Sequence, residues 1–493
     1  MRVSRLLAVL LGALTVAACS IGGATYDPNR GLVLDKDNGS SAGDSGSSDS
    51  GGLTLGKLFG PSASHGHGYA VGDEPHAVQA AIRVLNDGGS AADAATAMYF
   101  TLAVTYPVAA GLGGGGLCVV YDEKSGRRQA IDFLARNAAA GGDFAVPGNV
   151  AGFAALQAKY GVLPWQRDIA PGESLAGIGF PISDALAARL QASQNVVRLD
   201  AGLAAEFLDE SGQVRPAGTT VSSPALAMTI AAVREQGAEG FYGGEIAQEI
   251  ATYSAREGGA ISQNDLSSYR AHLRDPQSLD IGRQRVYLPP DSVGAGTFAA
   301  ALLGHLTGAD GKLTASDPAA AVESAERDTV DQFRIANLPA DLGATGFATS
   351  DKNGQAVACA VTMNGPFGSG HTAEGTGVTL AGSPAGQTGL AAAFLTPVIA
   401  TRDVTGPIRL PGEEGTRAVT LAGAGAGGPN GTAAIAYALL RLALDRDMTK
   451  PKALNETAAA RYDTVNTIAC PHGVCAVLPD PRSHGMGAEA GGS

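Results

Sequence analysis

Apolar positions recur at helical spacing through Pro75 to Asn86, where Ala77, Ala81, Val84 and Leu85 share one face and Asp87-Gly88-Gly89 stops the run. Ser90 then stands as an N-cap to a second predicted helix, Ala91 to Val104. The glycine run Gly111 to Gly116 leads into Leu117-Cys118-Val119-Val120-Tyr121-Asp122, which reads as a strand. A phosphate-cradling glycine loop follows a strand and opens a helix, so this run has the wrong context for a nucleotide. From Gly148 to Tyr269 the pattern is mainly helical, punctuated at Gly179-Phe180-Pro181 and Gly237, and a short helical stretch, Ala319 to Arg334, follows Pro289-Pro290. Residues 345–436 change to short β-like runs broken by glycine, clearest in Val357 to Thr362 and Ala418 to Leu421. Helices before strands, with one strand contributed early, predict an α+β fold of packed layers. The sequence has no visible internal repeat.

The first residues follow a different pattern. A charged Met1 to Arg5, an apolar Leu6 to Val16 and small Ala17-Ala18 predict a signal peptide over residues 1–18. Cys19 directly after Val16-Ala17-Ala18 resembles the lipobox of bacterial lipoproteins, which implies that Cys19 is acylated and becomes the mature N-terminus. No other apolar run is long enough to span a bilayer. Asp35 to Gly52 is almost entirely Gly, Ser, Asp, Asn and Ala, a composition that cannot bury enough surface to fold. Residues 19–68 are therefore expected to be a lipidated flexible tether, with a domain over 69–493. His65 and His67 are read as solvated. The implied place is the cell envelope, facing the periplasm or exterior, with the membrane met through the lipid on Cys19.

At 493 residues and 45% hydrophobic content the chain can bury a sizeable core. A net charge of −13 without a basic block excludes nucleic acid and an electrostatic grip on anionic lipid, leaving small-molecule or peptide ligands. Beyond Cys19 four cysteines remain. Cys470 and Cys475 flank His472, but three ligands over six residues match no common zinc spacing, so a small disulfide loop is expected. Cys118 and Cys359 sit in apolar strand-like runs and read as buried thiols. No cofactor and no metal is expected.

Several segments together resemble the γ-glutamyltranspeptidase family of N-terminal-nucleophile hydrolases: Gly88-Gly89-Ser90-Ala91-Ala92-Asp93, Pro107 with Gly111 to Gly116, Val146-Pro147-Gly148-Asn149, and Tyr160-Gly161 with Pro164-Trp165. Phe241-Tyr242-Gly243-Gly244, Asp351-Lys352-Asn353-Gly354, Thr362-Met363-Asn364 with Phe367-Gly368, and Asp480-Pro481-Arg482 continue the series in order. The resemblance implies a four-layer αββα sandwich, large-subunit-like over 69–343 and small-subunit-like over 344–493. It also implies a precursor that cuts itself before a threonine, whose hydroxyl then attacks a γ-glutamyl donor and whose freed amine serves as base.

On that template the turn Asp351 to Gly354 sets the register. Counting back without a gap puts Phe347 on the family's aromatic position and Ala344 on the nucleophile position. A methyl group can neither attack a carbonyl nor start self-cleavage. A one-residue deletion would make Thr345 the nucleophile, at the cost of moving Phe347. The serine pair that helps hold the donor carboxylate is replaced by Ala393-Phe394, and the acidic clamp for its amine by Ala381-Gly382-Ser383. The carboxylate-binding arginine should follow Asp132-Phe133 directly, but Leu134 stands there and Arg136 comes two positions later. Asn364, on the strand beside the nucleophile, and the oxyanion glycines Gly427 and Gly428 are retained. Gly296 to Gly343, the segment that carries active members to the cleavage point, is short. The resemblance thus implies a degenerate, uncleaved member with a binding or structural role; the alternative is a divergent amide hydrolase using Thr345.

Overall fold

Ser90 caps its helix reciprocally. Its hydroxyl accepts from the Asp93 N–H, and Asp93 Oδ2 accepts from the Ser90 N–H at 2.8 Å. The same carboxylate accepts from the N–H groups of Val162 at 2.9 Å and Leu163 at 3.2 Å, which ties the start of this helix to the turn after Tyr160. In this computed structural model the described residues are 24–27, 31–34, 68–307, 317–404, 417–444, 463–471 and 473–491. They fall in two units, Met1–Phe59 and Gly60–Ser493.

The larger unit is built on two sheets. Their strands in chain order are β1 (Gly68–Gly72), β2 (Gly115–Asp122), β3 (Arg127–Phe133), β4 (His272–Arg274), β5 (Gln277–Ile281), β6 (Gln284–Leu288), β7 (Ala344–Asp351), β8 (Gln355–Thr362), β9 (Thr396–Asp403), β10 (Arg417–Ala426), β11 (Thr464–Ala469), β12 (Ala476–Leu478) and β13 (Met486–Glu489). The first sheet runs β4-β3-β2-β8-β7-β1-β13 and the second β5-β6-β9-β10-β11-β12, antiparallel throughout. β7 and β8 form a hairpin through Asp351 to Gly354, with Ala344 opposite Thr362.

Ten helices matter to the layers: α1 (Pro75–Asn86), α2 (Ala91–Thr105), α3 (Asn149–Tyr160), α4 (Trp165–Ile178), α5 (Asp184–Ala192), α6 (Pro224–Gln236), α7 (Gly244–Arg256), α8 (Gly294–Leu306), α9 (Pro318–Gln332) and α10 (Pro429–Ala443). Met98, Phe153, Ile169 and Ile230 pack with Cys118, Ile131 and Phe347 on one face of the first sheet. The opposite face of that sheet, with Val71, Val119 and Ala358, meets Ile399, Ala422 and Ile468 of the second. The far face of the second sheet, with Val286, Val398 and Leu421, is covered by Phe298, Val322 and Leu439 of α8, α9 and α10. Helix, sheet, sheet and helix make the four-layer αββα sandwich. Both sheets are covered on both faces, which is why their strands read as continuous apolar runs rather than alternating ones.

Several expectations are corrected. Cys118 and Cys359 are not free thiols: β2 and β8 place them directly opposite each other on the helix-facing side, and they are joined by a disulfide. α8 was not visible in the sequence because Gly294, Gly296 and Gly304 lower its propensity, yet Phe298, Leu302 and Leu306 bury and hold it helical. The β-like texture assigned up to residue 436 ends at Gly428, where Pro429 opens α10. In the smaller unit, Ala24–Asp27 pairs antiparallel with Gly31–Leu34. The signal peptide, Cys19, His65, His67, His472 and the stretch Asp35 to Gly52 lie outside the described residues. Among the described residues no helix is long and apolar enough to cross a membrane.

Candidate active site

The site is organised by the first residue of β7. Alternation along this strand points Ala344, Gly346 and Ala348 toward the second sheet and Thr345, Phe347 and Thr349 toward the helices. The sheets come close here, for a Cβ on Gly346 would lie 2.8 Å from that of Ala424. On the other side, the Thr349 hydroxyl donates to the Ala91 carbonyl of α2 at 2.7 Å. Ala344 is 1% exposed and sits among Leu117, Val293, Leu395 and Ala426, with Leu134 packed against the same group. The residue that follows Asp132-Phe133 therefore brings an isobutyl group to this nest.

The carbonyl before Ala344 is firmly held. Gly343 O accepts from the Met363 N–H at 2.8 Å and from the Thr362 hydroxyl at 3.0 Å. Gly343 has φ +60°, and a Cβ there would meet the Gly365 oxygen at 1.9 Å, so only glycine can occupy the position. Its N–H donates to Asp341 Oδ1 at 2.7 Å, and the same oxygen receives Arg189 Nη2 at 2.6 Å. Arg189 is buried beside Tyr106, with its guanidinium carbon 5.6 Å from the ring centroid. These two donors on one carbonyl, and the ion pair behind it, had no sequence signal, because α5 and the Tyr106 corner are far from Asp341 in the chain.

Thr345 is wholly buried, and its hydroxyl donates to Asp73 Oδ2 at 2.6 Å. Asn466 Nδ2 donates to Asp73 Oδ1 at 2.8 Å and to the Gly346 carbonyl at 2.8 Å. Burial pushes the Asp73 carboxyl up, against the opposing pull of the hydrogen bonds from Thr345 and Asn466. Asp73 follows β1 without any motif and was missed in the sequence. Asn364 adopts φ +54°, and its Nδ2 donates to the Gly382 carbonyl at 2.9 Å, while its buried Oδ1 has no hydrogen-bond partner. Gly427 (φ +95°) and Gly428 lie between β10 and α10, directly after Ala426, which packs in the same apolar cluster as Ala344. A Cβ on Gly428 would stand 2.5 Å from Asp463 Oδ1.

Arg136 does not join this group. Its guanidinium carbon stacks 4.7 Å from the Tyr269 ring centroid, Nη1 donates to the Arg270 carbonyl at 3.2 Å, and Nη2 meets His272 Nδ1 at 3.2 Å. Ala393 packs on the second-sheet core, and Phe394 is fully buried in it. Ala381 is buried too, and Ser383 donates to Asn137 Oδ1 at 2.9 Å. Cys470 is bonded to Cys475. Among the described residues no group of three or more His, Cys, Asp or Glu side chains could hold a metal.

Residues 77–325, half of the chain, match the family described as Gamma-glutamyltranspeptidase. The chain belongs to this family. It is 33% identical over 253 residues to the Glutathione hydrolase proenzyme of Escherichia coli (strain K12), covering 46% of this chain and 43% of that protein. It is 29% identical over 275 residues to the Acylase ACY 1 proenzyme of Pseudomonas sp. (strain V22), covering 50% of this chain and 49% of that one. The chain thus spans less than half the length of either curated relative. The crystal structure of cephalosporin acylase from Bacillus halodurans superimposes with a TM-score of 0.66 at 19% identity, covering 87% of this chain and 96% of that chain, a likeness of fold.

Proposed function

We propose that this family member stays a single polypeptide, performs no γ-glutamyl transfer, and serves as a lipid-anchored binding or structural protein of the cell envelope. The observation that carries the reading is the Ala344 methyl, 1% exposed within an apolar nest that includes Leu134 and Leu395. Attack on a carbonyl needs a lone pair on an activated heteroatom, which a methyl lacks. The donor's α-carboxylate would meet Leu134 in place of a guanidinium, and desolvating that charge without a partner costs several kcal/mol, roughly the penalty of an unpaired buried ion. The rest of the oxyanion apparatus cannot compensate, since stabilising a tetrahedral oxygen is useful only after something attacks.

The envelope assignment rests on the Leu6 to Val16 run and Cys19, and the net charge of −13 leaves a small molecule or a peptide as ligand. Mass spectrometry of the mature protein tests lipidation and cleavage together, alongside an assay for release from a γ-glutamyl anilide. The expected result is one acylated chain beginning at Cys19 and no product above background. Two fragments meeting at residue 344 or 345, with anilide turnover, would overturn it.

A further inference from the structure

Away from Ala344, a cleft of about 490 Å³ opens between α7, the helix-bearing segment 200–207 and the hairpin of His371–Ala373 with Val378–Leu380. This volume lies within the ordinary range for small-molecule sites, and the construction is the usual one of an apolar base with a few polar groups. Val104, Leu112 and Leu226 are buried at its base, while Leu199 overhangs it 87% exposed. Four carboxylates line it, Asp200, Glu206, Glu257 and Glu374, against one guanidinium, Arg256, among the described residues.

That guanidinium is already engaged. Arg256 Nε donates to Glu257 at 2.9 Å and Nη2 to Glu374 at 3.1 Å. Asp200 accepts from the N–H groups of Leu203 and Thr372, both at 2.8 Å. Glu206 lines the cleft and has no ion pair among the described residues. Burial pushes its carboxyl up to about 7, and the nearby Ser223 hydroxyl offsets this only in part. Tyr253 is pushed up to about 12, first by burial and then by Asp200, Glu257 and Glu374, which marks the negative field of the cleft. A second cleft of about 600 Å³ adjoins at Tyr253, Arg256 and Glu374 and adds Glu245 and Glu249, so the field continues outward.

We propose that this cleft binds a small organic cation, an aliphatic amine whose hydrocarbon lies on the Val104, Leu112 and Leu226 base and whose ammonium meets Glu206 at the acidic wall. The amine supplies the opposite charge that Glu206 lacks, and its chain covers apolar surface that a hydrated metal ion could not. The assignment goes beyond the degenerate active site, because the cleft does not include Ala344, Asn364 or the glycine pair.

Calorimetric titration of the purified chain with hexylamine, hexanoate and hexanol tests it. Hexylamine is expected to bind, and hexanoate and hexanol are not. Losing one charge-assisted hydrogen bond weakens binding by about tenfold, so Glu206→Gln should cost about that factor. Glu257→Gln, at the partly exposed edge, should cost less and cannot unfold the cleft. Absence of heat with hexylamine, equal binding of hexanoate, or unchanged affinity in Glu206→Gln would each overturn the proposal. A Glu206→Gln chain that failed to fold would pass the decision to Glu257→Gln, where unchanged affinity is the refuting result. None of these outcomes bears on self-cleavage or anilide turnover, so failure here and failure of the uncleaved reading are distinguishable.

Discussion

Replacing Ala344 by threonine puts a hydroxyl at the start of β7 and asks whether the surrounding nest can use it. The native methyl is 1% exposed and is packed by Leu117, Ala360, Leu395 and Ala424. Threonine adds one carbon and one oxygen to this space. Overpacking a well-filled core costs about 1–3 kcal/mol, and burying a hydroxyl without a partner costs about another 1–3 kcal/mol. The Ala344→Thr chain should therefore lose roughly 2–6 kcal/mol, a fall in Tm of roughly 4–12 °C at about 2 °C per kcal/mol for a large domain. Ala344→Val has the same shape without the hydroxyl, so the difference between the two variants isolates the polar term, expected at about 1–3 kcal/mol in favour of valine. Thermal melts give the stabilities and intact mass reports cutting. Cleavage is expected to be slight, and turnover of a γ-glutamyl anilide negligible, because a hydroxyl without an oriented donor lacks the proximity that makes it reactive. The reasoning is refuted if the threonine variant matches the valine variant in stability and splits between Gly343 and position 344, for the hydroxyl would then have found working partners.

Asp168 is fully buried with neither carboxylate oxygen hydrogen-bonded, and burial first, then Asp93, pushes its carboxyl up to about 9. A raised acid favours folding below its unfolded value near 3.8 and loses that contribution as pH climbs through about 9, at about 1.4 kcal/mol per pH unit. Asp168→Asn should thus be more stable than the parent at pH 7, and denaturant melts of the two should converge near pH 4; parallel pH profiles would contradict this. The Cys118–Cys359 bond closes a loop of 241 residues, so the double alanine variant should lose roughly 2–5 kcal/mol. Thermal melts with and without reductant check it, and an unaffected parent would show that the bond does not form.

The parts of this fold that were legible in the sequence are those specified by neighbouring residues. α1 and α2 could be bounded because Asp87-Gly88-Gly89 stops one and the Ser90 capping box starts the other. The strand run Val357 to Thr362 could be read next to the Asp351 turn, since a tight hairpin fixes the register of both of its strands. What failed depended on contacts distant in the chain. The Cys118–Cys359 pair requires the register of β2 against β8, which no local pattern records. Arg136 stands close in sequence to the position where an arginine was expected, and the place of its side chain beside Tyr269 and His272, next to β3 through β4, has no local signal. α8 lost its signal to three glycines and gained its helix from the packing of Phe298 and Leu302.

The remaining question is whether Thr345 could serve in place of Ala344, and the period of the strand bears on it. A one-residue slip of β7 would carry the Thr345 hydroxyl to the place of Ala344, but it would exchange every side chain between the two faces. Phe347, fully buried against Phe153 at a centroid distance of 6.1 Å, would leave the helix-facing core. A phenylalanine moved out of such a site forfeits about 1.5–3 kcal/mol of burial. Phe347 would then have to occupy the close approach to Ala424 that Gly346 now permits, where even a methyl comes to 2.8 Å. The hydroxyl would also abandon Asp73, leaving a buried carboxylate with one donor fewer at a cost of about 1–3 kcal/mol. These terms share one sign. In the uncut strand the Thr345 hydroxyl belongs to the Asp73 and Asn466 network and holds the end of β1 to β7, and over residues 344–348 the side of the strand that faces the second sheet carries the methyls of Ala344 and Ala348 and no hydroxyl.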